Sequence, residues 1–252
     1  MKIKVIKSRV KRRKTGWITY VSVIVIITMA VTLGGNFLKP KTQLPSGIEI
    51  NKADYPITGI DVSAHTGKID FAKIKKQDID FVFIKATEGA YFVDDNFEVN
   101  YKNAKLNKIP VGVYHFFSFN VNGKEQAEHF YVNLIGKTPG LPYVLDIEEW
   151  ANQYDISTDK VIEEIRSFIT VLNSKGSHKI IFYSNESSYE KYLKDHFDGY
   201  DIWICSFKVK PDLDRKWTFW QYSHKGKLNG AKGLVDLNVF NGNTSQWEKY
   251  LK

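Results

Sequence analysis

Apolar residues along this chain of 252 residues recur in short β-rich runs that alternate with segments of helical periodicity. The runs predict strands near 57–62, 81–86, 110–116, 142–148, 179–184, 201–206, 217–222 and 234–240. The periodic segments predict helices near 70–77, 95–107, 123–135, 157–175 and 186–197. The clearest helix is the fourth, which has one apolar stripe from Val161 to Leu172 after a Ser157 or Thr158 cap. Beyond residue 200 the pattern predicts strands without helices.

The order of these elements indicates an α/β fold. Repeated βα units predict parallel strands with right-handed crossovers, and eight is the number of strands that closes a parallel barrel. We therefore expect an irregular TIM-like barrel, (β/α)5(β)3, whose last three helices are missing or vestigial. A doubly wound open sheet is the alternative, although no glycine-rich phosphate loop follows the first strand.

A longer apolar stretch precedes the barrel elements. No residue from Trp17 to Leu38 is charged, and a helix over this stretch would be about 33 Å long, enough to cross a hydrocarbon core of ~30 Å. Lys and Arg are dense before the stretch and sparse just after it, which predicts a transmembrane helix with a cytoplasmic N terminus. We expect a single-pass cell-membrane protein whose folded domain is extracellular. The alternative is a signal peptide cleaved near residue 35, which would make the protein secreted.

The predicted organisation has four parts. A basic cytoplasmic arm covers 1–16, the transmembrane anchor covers 17–38, a proline-containing linker covers 39–56, and the barrel domain covers 57–252. Formal net charge is +8, but the arm alone carries an excess of that size, so the rest of the chain is neutral overall. A neutral body with one basic arm does not indicate a nucleic-acid partner. Cys205 is the single cysteine, which excludes an intramolecular disulfide.

Four acids lie where predicted strands end. Asp146 and Glu148 close one apolar run, and residues i and i+2 of a strand share a face with Cα atoms ~6.6 Å apart. Asp61 and Asp236 belong to the first and last strands, which are neighbours in a closed barrel. Such clustered acids raise one another's pKa values, and this suits glycosidic cleavage, where one carboxylic acid must stay protonated.

Other chemistries fit the sequence less well. The six histidines show no His-Glu-x-x-His spacing or equivalent, so we predict no metal site. No Gly-x-Ser-x-Gly elbow is present, and no cofactor motif is found. The predicted substrate-binding residues lie at the same strand ends as the acids and include aromatic rings suited to stacking on sugars. They are Lys85, Glu88, Tyr114, His115, Tyr183, Trp203, Trp220 and Gln221.

Six motifs in order resemble glycoside hydrolase family 25, the bacterial and phage muramidases, between about Thr58 and Gly242. They are Gly59-Ile60-Asp61-Val62-Ser63, Phe83-Ile84-Lys85-Ala86-Thr87-Glu88-Gly89, Tyr114-His115-Phe116, Leu145-Asp146-Ile147-Glu148, Trp217-Thr218-Phe219-Trp220-Gln221-Tyr222 and Val235-Asp236. The chain departs from the family at Phe117-Ser118-Phe119, where Ala-Arg-Pro is often found. That difference concerns substrate contacts of the third loop and leaves the acids in place.

The resemblance implies roles for the four acids. Glu148 would be the general acid, Asp146 would stabilise charge developing in the sugar or its acetamido group, and Asp61 and Asp236 would orient the substrate. The implied reaction is hydrolysis of the β-1,4 bond between N-acetylmuramic acid and N-acetylglucosamine in peptidoglycan glycan strands, with help from the substrate's own N-acetyl group. Two alternatives stay open. One is a chitinase-like barrel, although Pro142 and Tyr143 replace two acids of its motif, and the other is an inert membrane-anchored glycan-binding or scaffold module.

Overall fold

The computed structural model describes residues 47–150, 152 and 154–252. The predicted basic arm, the predicted transmembrane helix at 17–38 and linker residues 39–46 lie outside the described residues. Across the described ranges, no helix is both long and apolar enough to cross a membrane.

Eight strands close into a barrel, and a ninth short strand extends it at one edge. The strands are β1 (Thr58–Val62), β2 (Phe81–Glu88), β3 (Phe92–Val93), β4 (Val111–Phe116), β5 (Tyr143–Ile147), β6 (Ile180–Asn185), β7 (Asp201–Cys205), β8 (Phe219–Gly226) and β9 (Val235–Phe240). The sheet order is β1-β9-β8-β7-β6-β5-β4-β2-β3, and an additional β1–β2 pairing closes the ring. The predicted α/β class and the eight-stranded TIM-like barrel are thus confirmed.

In the described part of the chain, five α-helices cover the outside of the first five barrel units and a sixth follows the last strand. They are α1 (Phe71–Ile74), α2 (Phe97–Leu106), α3 (Gly123–Leu134), α4 (Thr158–Ser174), α5 (Glu186–Ser188, continuing as a π-helical turn at Tyr189–Leu193) and α6 (Thr244–Tyr250). Ser157 caps α4, because its side chain accepts a hydrogen bond from the Lys160 backbone N–H. No helix separates β7, β8 and β9, as the strand-only pattern beyond residue 200 predicts.

Strand direction differs from the sequence expectation in one place. The pairings from β1 through β2, β4, β5, β6 and β7 to β8 are parallel, but β9 is antiparallel to both β8 and β1. The reason is the short connection from β8 to β9, which has no crossover helix and returns the chain in the opposite direction. As a consequence, the beginning of β9 lies at the same mouth of the barrel as the ends of the other strands.

The sequence pattern does not predict strand β3 or helix α6. Strand β3 pairs antiparallel with the end of β2 after a turn at Gly89, whose φ is 52°. Helix α6 begins with a capping box between Asn243 and Gln246, and its Trp247 ring packs against Phe81 inside the barrel, with ring centroids 5.3 Å apart. Helix α6 therefore closes the end of the barrel opposite the mouth.

The core has an inner and an outer layer, as strand alternation requires. Aromatic rings fill the lower half of the interior, where Phe83 stacks on Trp203 at 4.5 Å between ring centroids. Gly112 allows this packing, because a Cβ at that position would lie 2.2 Å from the Phe83 ring. Residues 47–56 also lie against the barrel: Gly47 forms a bridge with Ser223, and Tyr55 is buried beside Trp217. The folded domain thus begins at least ten residues before position 57.

Candidate active site

Four carboxyl groups meet at the mouth of the barrel. Asp61 of β1 is in direct register with Asp236 of β9, and Asp146 of β5 is in register with Tyr183 of β6. Glu148 is the first residue after the end of β5. Asp61, Asp146 and Glu148 are buried, and Asp236 is half-buried. The predicted convergence of these acids is therefore present, and the antiparallel direction of β9 is what brings Asp236 to the mouth.

Asp61 is held by two side-chain amides. Its Oδ2 accepts hydrogen bonds from Gln221 Nε2 and Asn238 Nδ2, each at 2.8 Å. The oxygens of these amides accept from Tyr183 Oη at 2.9 Å and from Trp203 Nε1 at 2.8 Å. Burial raises the pKa of Asp61 to about 6, while the two amide donors work in the opposite direction. This chain of four partners fixes the carboxylate and leaves it mostly ionised at neutral pH.

Asp146 has an unusual environment for a buried carboxyl group. Burial raises its pKa well above the ordinary value, the nearby Glu148 charge raises it further, and Lys85 opposes both effects. Its Oδ1 atom is buried and has no hydrogen-bond partner among the described residues. A buried acceptor without a donor is costly, so Oδ1 is suited to receive a donor from a bound molecule.

Glu148 has a pKa suited to a general acid. Burial raises it to about 7, and the charge of Asp61 contributes, while hydrogen bonds from Trp150 and Asn185 to the carboxyl group lower it. Asp236 is raised to about 8, first by burial and then by the charge of Asp61. Because like charges this close cannot all be ionised, the cluster retains protons near neutral pH.

Lys85, Glu88 and Tyr114 lie close to the acids, and their role in substrate binding stays a prediction. Lys85 is buried, and its Nζ lies 2.6 Å from a Glu88 carboxylate oxygen and 5.0 Å from the centroid of the Phe116 ring. Burial and the charges of Asp61 and Asp146 raise the pKa of Tyr114 well above its usual value, so this phenol stays neutral beside the acids. Tyr183, Trp203 and Gln221 also face the barrel interior, but they contact Asp61 or its amide partners and act on its position.

His115 does not reach the mouth, and the prediction that it binds substrate is wrong. Tyr114 points inward, so its neighbour His115 points outward, where it is buried with its ring 5.1 Å from that of Phe168. Its Nδ1 is 2.7 Å from Thr87 Oγ1, and its Nε2 is 3.2 Å from Gln126 Oε1. Burial lowers the pKa of His115 to about 3, so the ring is a neutral core residue.

Trp220 does not reach the mouth either, and the prediction that it binds substrate is wrong. Gln221 points inward, and Trp220 therefore lies on the outer face of β8, where it is buried. Its Nε1 donates to the Ser206 backbone oxygen at 2.8 Å, and its ring packs against those of Tyr55 and Trp217. Its role is core packing, away from any bound sugar.

Three residues of the site were missed by sequence reasoning. Asn238 lies two positions after Asp236 on β9 and so shares its face, a period-two signal that the sequence does contain. Asn185 ends β6, two positions after Tyr183, by the same logic. Trp150 follows Glu148 in a loop, where no periodicity could indicate its direction. In the part of the chain that the structure describes, no group of three or more His, Cys, Asp or Glu residues could hold a metal ion.

Comparison with known proteins agrees with this geometry. The family described as glycosyl hydrolases family 25 matches residues 60–231. Lysozyme M1 of Streptomyces globisporus is 34% identical over 205 residues, which are 75% of this chain and 69% of that protein. The uncharacterized protein YegX of Escherichia coli (strain K12) is 32% identical over 206 residues, which are 79% of this chain and 75% of that protein.

A solved structure shows the same fold. It is that of a family 25 glycosyl hydrolase from Bacillus anthracis, with a TM-score of 0.75 and 39% sequence identity, and the match covers 84% of this chain and 100% of that one. The family match spans well over half of the chain and includes three of the four clustered acids. This chain belongs to glycosyl hydrolase family 25 and is a glycoside hydrolase.

Proposed function

We propose that this enzyme is an N-acetylmuramidase that hydrolyses the β-1,4 bond between N-acetylmuramic acid and N-acetylglucosamine in peptidoglycan. Glu148 serves as general acid, Asp146 as the stabilising carboxylate, and Asp61 and Asp236 orient the sugar. Membership of family 25 and the likeness to a named lysozyme support this reaction. The observation that carries the residue assignment is the buried Asp146 Oδ1, which has no donor among the described residues.

The acetamido group of the substrate fits that oxygen. An amide N–H donated to Asp146 Oδ1 would satisfy the acceptor and favour the ionised form of Asp146, an effect that Lys85 reinforces. If Asp146 is ionised, the proton that Asp146 and Glu148 share resides on Glu148. The same contact would direct the acetamido carbonyl oxygen towards the anomeric carbon, as the substrate-assisted scheme requires.

The bond changes then balance in two steps. In the first, the acetamido oxygen bonds to the anomeric carbon as the glycosidic bond breaks, and Glu148 gives its proton to the leaving oxygen. In the second, water attacks the anomeric carbon, the bond to the acetamido oxygen breaks, and Glu148 takes a proton from the water. Glu148 has a pKa of about 7, so it can act as acid and as base near neutral pH.

The test compares the full chain with Glu148→Gln and Glu149→Gln on purified peptidoglycan, with release of reducing ends as the readout. Glu149 is the matched control, because it is the adjacent glutamate but pairs with Lys191 and Tyr192 away from the mouth. Glu148→Gln is expected to lower the rate by at least about a hundredfold, and Glu149→Gln by less than about threefold. Equal release by wild type and Glu148→Gln would reject the assignment, and no release by wild type would favour an inert glycan-binding module.

We also propose that residues 17–38 anchor the enzyme in the cell membrane, with the catalytic domain outside. The uncharged length of this stretch and the basic residues before it support the proposal. Membrane fractionation with protease added outside intact cells tests it. The expected result is a membrane-bound chain whose barrel domain is accessible to the protease, and recovery of a soluble chain lacking about 35 N-terminal residues would instead indicate cleavage.

A further inference from the structure

Trp150 is the one described tryptophan with an exposed ring. This residue is 63% exposed, whereas Trp203, Trp217, Trp220 and Trp247 are all buried. A large aromatic ring in water beside a buried polar site is typical of a binding surface. The surroundings of Trp150 therefore decide what it could bind.

The indole of Trp150 contacts the proposed general acid. Hydrogen bonding from Trp150 and from Asn185 lowers the pKa of the Glu148 carboxyl group, which places both side chains beside that group. An indole N–H can only donate, so the Glu148 carboxyl oxygen is the acceptor. Asn185 Oδ1 already accepts from Ser188 N and Ser187 Oγ, each at 2.8 Å, which leaves the Asn185 amide nitrogen as the second donor. Glu148 is thus held between two donors on neighbouring loops.

The loop that carries Trp150 is anchored on both sides of the ring. Asn152 is buried, and its Nδ2 donates to the backbone oxygens of Glu148 at 2.8 Å and Phe117 at 3.0 Å. Its Oδ1 accepts from Phe119 N at 2.8 Å. On the other side, Glu149 N donates to Ser188 Oγ at 3.0 Å. Trp150 is therefore presented to solvent from a hydrogen-bonded turn.

The side of the acid on which the ring lies follows from the strand positions. Asp61, Asp146 and Asp236 project from within strands, whereas Glu148 comes after the end of β5 and Trp150 two residues later. A sugar held by the three aspartates would therefore lie on the barrel side of Glu148. The sugar whose oxygen receives the Glu148 proton would lie on the solvent side, next to the exposed indole.

We propose that Trp150 is a positioning and substrate-contacting residue: its N–H holds the Glu148 carboxyl group, and its exposed face receives the leaving-group sugar. This inference rests on the proposed function, in which that sugar is N-acetylglucosamine. Stacking needs the ring, and positioning needs the N–H, so the two roles can be separated by substitution.

The experiment measures kcat, KM and the pH profile of full-chain wild type, Trp150→Phe and Trp150→Ala on purified peptidoglycan. Trp150→Phe keeps a ring and loses the donor, so the alkaline limb of activity is expected to move up by about one pH unit with KM within about twofold. Trp150→Ala is expected to show the same shift and a KM about fivefold to tenfold higher. Leu106→Ala is the control for loss of an exposed apolar side chain, since Leu106 is 68% exposed on the outer helix α2, and no change is expected.

Each result bears on the inference. An unmoved alkaline limb in both variants would overturn the positioning role, and an unchanged KM in Trp150→Ala would overturn the sugar contact. Circular dichroism and thermal melts check folding, and if Trp150→Ala does not fold, the limb shift of Trp150→Phe decides the positioning role. Wild-type cleavage together with unaltered variants would reject this inference alone, whereas a wild type that releases no muramic acid ends would reject the proposed function.

Discussion

Replacing Asn238 with alanine should change the pH dependence of the enzyme by an amount that the structure allows us to work out. The substitution removes one of the two amide donors to Asp61 Oδ2 and leaves the Trp203 indole N–H without its acceptor. A hydrogen bond to a charged group is worth about 1.5–3 kcal/mol, so the pKa of Asp61 should rise by at least about one unit from its value of about 6. Because the buried Trp203 indole N–H then has no acceptor, the variant should also have a free energy of unfolding lower by about 1–3 kcal/mol.

The assay is the pH profile of kcat for peptidoglycan cleavage, because kcat reports the enzyme–substrate complex, in which the acetamido group would keep Asp146 ionised. Activity in the wild type should fall below about pH 6 as Asp61 becomes protonated and above about pH 7 as Glu148 loses its proton. In Asn238→Ala the acidic limb should move up by about one unit, so activity at pH 6 should drop about fivefold from this cause. Thermal unfolding, followed in parallel, separates this shift from lost stability.

Asn241→Ala is the matched control. Asn241 also lies near β9 and also donates one 2.8 Å hydrogen bond, to the Trp217 backbone oxygen, but at the end of the barrel away from the acids. It should lose a comparable amount of stability without a shift in either limb. An acidic limb in Asn238→Ala that stays at the wild-type pH would refute the claim that ionised Asp61, held by these amides, is needed for activity.

Three further outcomes follow from the packing and charge of the barrel. Asp236→Asn should lower activity and should raise the melting temperature more at pH 8 than at pH 5. The reason is that folded Asp236 has a pKa of about 8, whereas in the unfolded chain it releases its proton near pH 4. Asp236 therefore destabilises the fold increasingly as the pH rises from about 4 to 8. An equal gain at both pH values would contradict this sign. Gly112→Ala should lower the free energy of unfolding by about 1–3 kcal/mol in urea titrations, because the added Cβ would lie 2.2 Å from Phe83, and an unchanged midpoint would show that the ring moves aside freely. Asn152→Ala should lower both the unfolding free energy, by about 1–3 kcal/mol, and kcat, because three hydrogen bonds that fix the Glu148 turn are lost. A normal kcat in that variant would argue that the turn keeps its shape without them.

Much of the barrel can be predicted from the sequence because burial imposes simple periods. The buried strands read as short apolar runs, and α4 shows its stripe from Val161 to Leu172, so both appear at nearly the observed positions. The two-residue strand β3 and the seven-residue helix α6 are too short to show a period. The direction of β9 depends on how the chain returns after β8, and an apolar run carries no sign of direction.

The site was predictable at the level of residue groups and less so for individual side chains. Asp61 and Asp146 lie on inward faces near the ends of parallel strands, so their convergence follows from the strand pattern. Asp236 lies at the beginning of β9 and reaches the mouth because β9 runs antiparallel to β1. His115 and Trp220 sit one position from inward residues and face outward, a distinction that only the exact strand register decides. Trp150 lies in a loop whose path depends on the Asn152 hydrogen bonds, which no local pattern encodes.

The most direct test of the central claim is the chemical identity of the new reducing ends. Peptidoglycan treated with full-chain wild type or Glu148→Gln would be reduced with borohydride, and the released fragments would be analysed by mass spectrometry. Ends of reduced N-acetylmuramic acid from wild type, absent with Glu148→Gln, are the predicted result. Ends of reduced N-acetylglucosamine, or the same muramic acid ends from both proteins, would contradict it.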